Sequence, residues 1–427
     1  METSQLHKLF LTHGSVSTDS RSISPGGIFF ALKGERHDGN QHAAAALAAG
    51  ASHAVVDQDQ GPDPRLIRVA DALRALQDLA RFHRRHLGTP LLALTGSNGK
   101  TTTKELLAAV LARKFETLST RGNLNNHIGV PLTLLRLAPG HQFAVVEMGA
   151  NRPGDIRQLC EIAEPDMGLV TNVGKAHLKG FGGFDGVVRT KGEMYDFLKE
   201  RGGLVFLNAS NPLLAERLGP YEPARVLRYG SPEHPHPEAR PGGAHLRAWH
   251  PELGEFQTQL AGAYNLENLS CALRVAAHMG IPAEQARLAF EQYRPDNHRS
   301  QIIGTGRNLV VMDAYNANPT SMAAALDNLA AQAWPRKAAV LGDMLELGPE
   351  EEAEHLEILR RLAGLRPDAA WLVGPLFGAH AAAFPGFAFH PDTGSLKREL
   401  AASPPKDLAI LVKGSRGVRL ESLLEQL

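Results

Sequence analysis

The sequence predicts an α/β protein with parallel sheets spread over more than one domain. Three observations carry this: a length of 427 residues, an alternation of short apolar runs with amphipathic stretches, and a glycine-rich turn between one such run and a helix. At about 150 residues per domain, the length allows two or three domains, each able to bury a core. The alternation is the pattern of βα units.

Composition narrows the class. Lys+Arg and Asp+Glu are balanced at 45 each, so the net charge is zero. That argues against a polybasic nucleic-acid or membrane-surface protein, but leaves room for a local basic pocket. The two cysteines, Cys160 and Cys271, lack CxxC spacing and read as reduced core thiols. The first residues, METSQLHKLFLTHGS, lack a basic region followed by an apolar one, so no signal peptide is expected. No apolar run approaches the ~18 residues of a membrane span. A cytoplasmic protein is expected, with no membrane span and no nucleic-acid partner.

The elements divide the chain into three parts, 1–87, 88–294 and 295–427. In the first, Ile28-Phe29-Phe30-Ala31-Leu32 reads as a strand, His42 to Ala49 as a helix and His53 to Val56 as a strand. Asp71 to His86 reads as a helix with Asp71 as its N-cap and Leu73, Leu76, Leu79 and Phe82 at helical spacing. In the second part, strands are expected at Leu91–Leu94, Phe143–Val146, Met167–Val170 and Gly203–Leu207. The Pro/Gly/His-rich stretch from Ser231 to Gly243 reads as a surface loop, and its His234 and His236 as loop residues rather than metal ligands. Tyr293 to Arg299 reads as a hinge. Beyond it, apolar runs at Leu309–Met312, Ala338–Leu341, Ala369–Val373 and Leu408–Val412 alternate with helices, as in a second doubly wound unit.

Ligands of open α/β sheets bind beyond the carboxyl ends of the strands. The residues there are Thr95 to Thr103, Glu147 to Asn151, Thr171 to His177, Asp313 to Asn316, Gly342 to Met344 and Lys413 to Arg416. If the strands are parallel, each set shares one edge. Two such edges facing one another would form an interdomain cleft.

One of these sets has its own chemistry. Thr95-Gly96-Ser97-Asn98-Gly99-Lys100-Thr101 follows a strand and opens a helix with Leu106, Leu107, Val110 and Leu111 on one face. Backbone N–H groups at such a turn and helix start cradle phosphates. Lys100 supplies a cation for the β/γ-phosphates, and Thr101 a hydroxyl for Mg²⁺. The longer form of this motif has glycine where this chain has Leu94, so the match is to a shorter variant. Glu147, ending a neighbouring strand, is placed to hold the metal. Read by themselves, His177 is a packed histidine and Lys191 a solvated helix charge.

Further stretches change that reading. They are Thr18-Asp19-Ser20-Arg21 with Phe29 to Gly34, Gly122-Asn123-Leu124-Asn125-Asn126, Thr171 to His177, Asp313-Ala314-Tyr315-Asn316-Ala317-Asn318-Pro319, Leu341 to Gly348, and Lys413-Gly414-Ser415-Arg416. With the phosphate loop they make the chain, over nearly its whole length, similar to the Mur ligases of peptidoglycan synthesis. Within that family it resembles the member that adds the last dipeptide. The resemblance implies three α/β domains: a small N-terminal one for a UDP-sugar, a central P-loop ATPase-type parallel sheet, and a Rossmann-like C-terminal one. It implies ATP and Mg²⁺ chemistry, with two ions held by Thr101, Glu147, His177 and Lys191, the last carbamylated by CO₂. It places Asn265 and Asn316 near the adenine, Asp313 near the ribose and Arg299 near the phosphates. Asp19, Ser20, Arg21, Lys33, Asn125, Asn126, Lys413, Ser415 and Arg416 are implied as substrate-binding. The implied reaction joins D-alanyl-D-alanine to UDP-N-acetylmuramoyl-tripeptide through an acyl phosphate, in a monomer. Two alternatives stay open on the residues: a ligase adding a single amino acid to another acid, and a nucleotide-dependent switch without ligase turnover.

Overall fold

A computed structural model of the chain describes residues 1–35 and 37–427. Its first sheet is parallel, in the order Val16–Ser17, Ile28–Phe30, His53–Val56, Leu66–Arg68. The helix Ala72–Leu87 follows. Asp71 caps it, its carboxylate accepting from the Arg74 amide at 2.9 Å, and Gly88 ends it in the left-handed conformation. The helix Thr3–His13 packs on Ala72–Leu87, although the sequence reading had assigned no element there.

The second sheet has six parallel strands in the order Val226–Tyr229, Leu204–Asn208, Met167–Val170, Leu91–Thr95, Phe143–Glu147, Thr117–Ser119. Its strands read as unbroken apolar runs because helices cover both faces. Along Leu91–Thr95, Leu91 and Ala93 join a core with Leu159 and Leu198, from the helices Asp155–Ala163 and Phe184–Arg201. Leu92 and Leu94 join a separate core with Leu106, Val110 and Leu269, from Lys100–Leu111 and Leu266–His278. This alternation is the period of two of a strand. Gly168 lets Phe184–Arg201 lie close, since a Cβ there would fall 2.8 Å from Leu198 Cδ1 and 3.0 Å from Met194 Sδ.

Two features depart from the sequence reading. The stretch read as a plain loop contains the strand Glu238–Arg240, which pairs antiparallel with Arg247–His250, and that strand with Gly254–Gln257. The last sheet runs in the order Gln301–Gly304, Leu309–Asp313, Ala409–Lys413, Lys337–Gly342, Ala369–Val373, Ala388–His390. It is parallel except at its first strand, which pairs antiparallel with the second. That strand is only half-buried, so it lacked the apolar run that marks the others. No helix of the described residues is long and apolar enough to cross a membrane.

The parts share one core. Leu6 and Leu79, Leu134 and Leu159, and Ala325 and Leu341 belong to a single apolar cluster. A buried polar link also joins the first part to the second. His83 Nε2 lies 3.0 Å from the Leu137 carbonyl, and His83 Nδ1 lies 3.0 Å from His7 Nε2. A carbonyl only accepts, so His83 carries its proton on Nε2 and accepts from His7 at Nδ1. Burial lowers the pKa of both rings, which favours this neutral arrangement. Burial, then the neighbouring His83 and His86, push His7 down to about 4.

This predicts an acid-sensitive joint. Above pH ~6.5 the imidazole is neutral in both folded and unfolded chains. Between there and pH 4 the unfolded chain takes up a proton that the folded one excludes, so stability falls as pH falls. Thermal melts at pH 7 and pH 5 should show a loss on the order of 1 kcal/mol from this group. The His7→Leu variant should lose less stability across that interval than the parent.

Candidate functional site

The phosphate loop is held from the neighbouring strand. The Asn98 amide donates to Asn172 Oδ1 at 2.9 Å, the Thr171 hydroxyl to the Asn98 carbonyl at 2.6 Å, and the Gly174 amide to Ser97 Oγ at 2.9 Å. Gly96 is required by this clamp: its φ is +146°, and a Cβ would fall 1.9 Å from Thr171 Oγ1. Gly99, at φ 77°, starts the helix Lys100–Leu111, whose first amides and positive end face the loop. Lys100 Nζ donates to the carbonyls of Gly96 at 2.7 Å and Ser97 at 3.2 Å. Burial lowers Lys100 to about 8; Glu147 opposes the shift and Arg299 adds to it. Thr95 and Thr101 are buried behind the loop, and Thr95 Oγ1 has no partner.

In front of the loop lies a cavity of about 370 Å³. Ser97, Asn98, Gly99 and Lys100 line one side; Arg299, Asp313, Asn316 and Lys413 come from the last sheet and the segment leading into it. Asn265 lines it from the start of the helix Leu266–His278. Two strand ends from different sheets therefore share one cleft. Lys413, buried, donates to Asp313 Oδ2 at 2.5 Å and to the Asn316 carbonyl at 3.3 Å. Asp313 Oδ1 also accepts from the Ser300 amide at 3.2 Å. Asn265 Nδ2 donates to the Ala261 carbonyl at 2.7 Å and Ser300 Oγ at 3.2 Å. Arg299 is aimed by strained backbone on either side, with His298 at φ 55° and Ser300 at φ 50°. Its guanidinium stacks 3.8 Å from the centre of the Tyr315 ring.

Behind the loop sit the proposed metal ligands. Glu147 is buried; its Oε1 accepts from Asn125 Nδ2 at 2.8 Å, whereas Oε2 has no partner. An anionic oxygen left without a donor suits a cation. His177, at φ 53°, contacts the Glu346 carboxylate through Nδ1. Burial lowers its pKa and Glu346 works against that shift. Lys191 is buried in Phe184–Arg201 and makes no ion pair among the described residues. Its Nζ lies 5.3 Å from the Phe181 ring centre, and burial, then Lys100, lowers its pKa well below the ordinary lysine value. No group of three or more His, Cys, Asp or Glu gathers at one point among the described residues.

The residues implied as substrate-binding are dispersed, and of them only Lys413 lines the cavity. Asp19 and Arg21 pair with each other at 2.7 Å on the exposed face of the first part, with half-buried Ser20 between them. Lys33 pairs with Asp57 at 2.8 Å. Asn126 Oδ1 accepts from the amides of Ile128 and Gly129, capping the helix Gly129–Leu134. Ser415 Oγ accepts from the Leu345 amide at 2.9 Å, and Arg416 donates to the Tyr315 hydroxyl at 3.2 Å. The sequence reading missed Tyr315, Glu346, Glu267 and Asn318 as site residues. Asn318 Nδ2 donates to Asn98 Oδ1 at 2.7 Å, so it ties the last sheet's first helix to the phosphate loop.

A phosphate loop facing the strand ends of a second parallel sheet across a shared cavity defines a nucleotide-using α/β enzyme. Family models described as Mur ligase family, catalytic domain; Mur ligase middle domain; and Mur ligase, glutamate ligase domain match residues 13–84, 94–276 and 298–416. The chain is 34% identical to the UDP-N-acetylmuramoyl-tripeptide--D-alanyl-D-alanine ligase of Bacillus subtilis (strain 168), over 97% of this chain and 93% of that protein. It is 35% identical to the Escherichia coli (strain K12) protein of the same name, over 98% and 94%. Among solved structures, MurF from Acinetobacter baumannii matches with a TM-score of 0.84 at 33% identity, over 96% of this chain and 92% of that one. MurF ligase from Thermotoga maritima, in complex with ADP, matches with a TM-score of 0.83 at 28% identity, over 97% of each. The chain belongs to the Mur ligase family.

The pairing of Asp313 with Lys413 gives a stability test. Asp313→Ala strands the buried Lys413 ammonium and should cost about 3 kcal/mol in denaturant unfolding. Replacing both, as Asp313→Leu with Lys413→Met, should recover most of that loss.

Proposed function

We propose that this protein is an ATP-dependent ligase joining D-alanyl-D-alanine to UDP-N-acetylmuramoyl-tripeptide, giving the pentapeptide, ADP and phosphate. One observation carries the reading: the phosphate loop and Arg299, Asp313 and Lys413 close on one cavity, with an unpartnered Glu147 oxygen behind the loop. Full-length similarity to the tripeptide--D-alanyl-D-alanine ligases supplies the substrates. Domain limits near 87/88 and 294/295 belong to this reading, supported by the ends of the helices Ala72–Leu87 and Ala283–Gln292.

The chemistry joins two anions and then an amine. The terminal carboxylate of the tripeptide attacks the γ-phosphorus, the bond to the β-phosphate oxygen breaks, and ADP leaves an acyl phosphate. The dipeptide's amine attacks the acyl carbon; the tetrahedral intermediate expels phosphate, and the amine loses a proton. The loop amides and Lys100 hold the phosphates, and Arg299 faces them from the other sheet. Asn265 and Asn316 orient the nucleoside, with Asp313 near its ribose. Asp19, Ser20, Arg21, Lys33, Asn125 and Asn126 serve the UDP-sugar peptide, and Lys413, Ser415 and Arg416 the dipeptide side. Mg²⁺ would be held by Thr101 and Glu147, with a second ion by His177 and a carbamylated Lys191, and would neutralise charge on the transferring phosphoryl group. Lys191 suits that modification because it is buried without an acidic partner. A monomer working in the cytoplasm, where ATP is supplied, completes this reading.

Phosphate release tests the reading. It should require ATP, UDP-MurNAc-tripeptide and D-alanyl-D-alanine together. Release without either acceptor, or with a single amino acid in place of the dipeptide, would falsify it. Glu147→Gln keeps the contact to Asn125 but removes the charge; turnover should fall at least tenfold and need more Mg²⁺ for half-saturation. Lys191→Ala should be inactive and regain activity with added short carboxylic acids; full activity without them would rule out the carbamate.

A further inference from the structure

Sheet order gives the cavity a direction. The phosphate loop follows Leu91–Thr95, which lies between Phe143–Glu147 and Met167–Val170. If Glu147 marks the γ-phosphate end, the nucleoside must extend the other way, past Met167–Val170 toward Leu204–Asn208. That orientation rests on the functional reading above. At that end, Asn211, Tyr264 and Glu267 line the cavity.

Two acids line the whole cavity, Asp313 and Glu267. Asp313 is tied to Lys413. Glu267 pairs with no cation among the described residues and meets Asn208 Nδ2 at 3.3 Å through Oε2. Asn208 is itself fixed. Its Oδ1 accepts from the Ser210 amide at 3.1 Å and the Ser210 hydroxyl at 2.7 Å, so its amide nitrogen must face Glu267. Ser210 Oγ in turn lies 2.8 Å from His236 Nε2, in the His/Pro-rich stretch. Since the hydroxyl proton goes to Asn208, the imidazole donates. A chain of hydrogen bonds, His236 to Ser210 to Asn208 to Glu267, thus orients a carboxylate at the nucleoside end. Burial of that carboxylate also raises its pKa.

We propose that Glu267 reads the nucleobase, accepting a hydrogen bond from the exocyclic amine of adenine and repelling the O6 carbonyl of guanine. A carboxylate only accepts, so a carboxylate placed at position 6 separates adenine's amine from guanine's carbonyl by sign and not merely by fit. His236 and Asn208 are positioning residues, acting through Glu267.

The test is direct binding of ADP, GDP and 2′-deoxy-ADP by calorimetry, beside ATP- and GTP-driven ligation. The parent should prefer ADP over GDP. Glu267→Gln can present either an oxygen or an amine, so that preference should shrink about 10- to 100-fold while the ADP to 2′-deoxy-ADP ratio stays fixed. His236→Phe should move the same ratio in the same direction, by less. An unchanged ADP to GDP ratio in Glu267→Gln overturns the proposal, as does a change confined to the deoxyribose ratio. A shifted base preference in a protein that makes no peptide bond would sustain the proposal and instead sink the ligase reading.

Discussion

Everything at the site depends on the parallel register of Leu91–Thr95 between its two neighbours. Leu94 stands beside Glu147 on one side, and Thr95 beside Val170 on the other. The loop after Thr95, the acid ending the next strand and the amide-rich turn after Val170 therefore leave the sheet at one edge. Three separate stretches of chain meet there without any long-range design beyond strand pairing. The turn after Val170 then closes on the loop through Thr171, Asn172 and Gly174. A one-residue slip of the neighbour Phe143–Glu147 would turn its side chains to the opposite face, exchanging the cores that Val145 and Val146 enter.

The electrostatics follow from that convergence. Lys100, Arg299 and Lys413 line one cavity, and among the described residues only Lys413 has a carboxylate partner in it. Holding these cations in the folded chain is costly: burial first, then a neighbouring cation, lowers the pKa of Lys100 and of the nearby Lys191. It becomes favourable when a polyanion enters, since each cation then gains a partner that the protein withholds. Glu147 has the complementary defect, an oxygen with no donor. The site is thus stocked with mismatched charges that a nucleotide and a cation would jointly satisfy. Surface ion pairs such as Arg21–Asp19 are exposed and contribute little by comparison.

What the sequence disclosed follows the same physics. Strands covered on both faces are continuous apolar runs, so the strands at Leu91, Phe143, Met167, Leu309 and Ala369 were legible. The helix at Ala72 was legible because Asp71 caps it and its apolar residues recur at helical spacing. Leu94, a departure from the longer phosphate-loop motif, is explained by its burial with Leu106 and Val110, where glycine would leave a void. Gln301–Gly304 was not legible because half-buried edge strands carry no such run. Nor was the environment of Lys191. Nothing local distinguishes a lysine facing water from one packed under Phe181; that depends on Gly168 and the close approach of a helix distant in sequence. Glu267 was hidden likewise, because Asn208 and the Ser210 and His236 behind it come from two other segments.

The segment from Thr171 to His177 links these properties. Its first residues clamp the phosphate loop. Its last, His177, meets Glu346 of the final part, while Lys175 pairs with Glu354 at 2.5 Å and its amide meets Thr320 Oγ1 at 3.3 Å. Seven residues thus touch the loop, a proposed metal ligand and the opposite wall of the cavity. Each contact across the wall is polar and partly exposed, worth about 1 kcal/mol or less by itself. They add to the apolar cluster that runs from the second part into the last, with Leu159, Ala325 and Leu341 among its members. The same short segment therefore sets the loop and meets the last part. The geometry of phosphate binding and the approach of the second sheet are for this reason not independent variables in this protein.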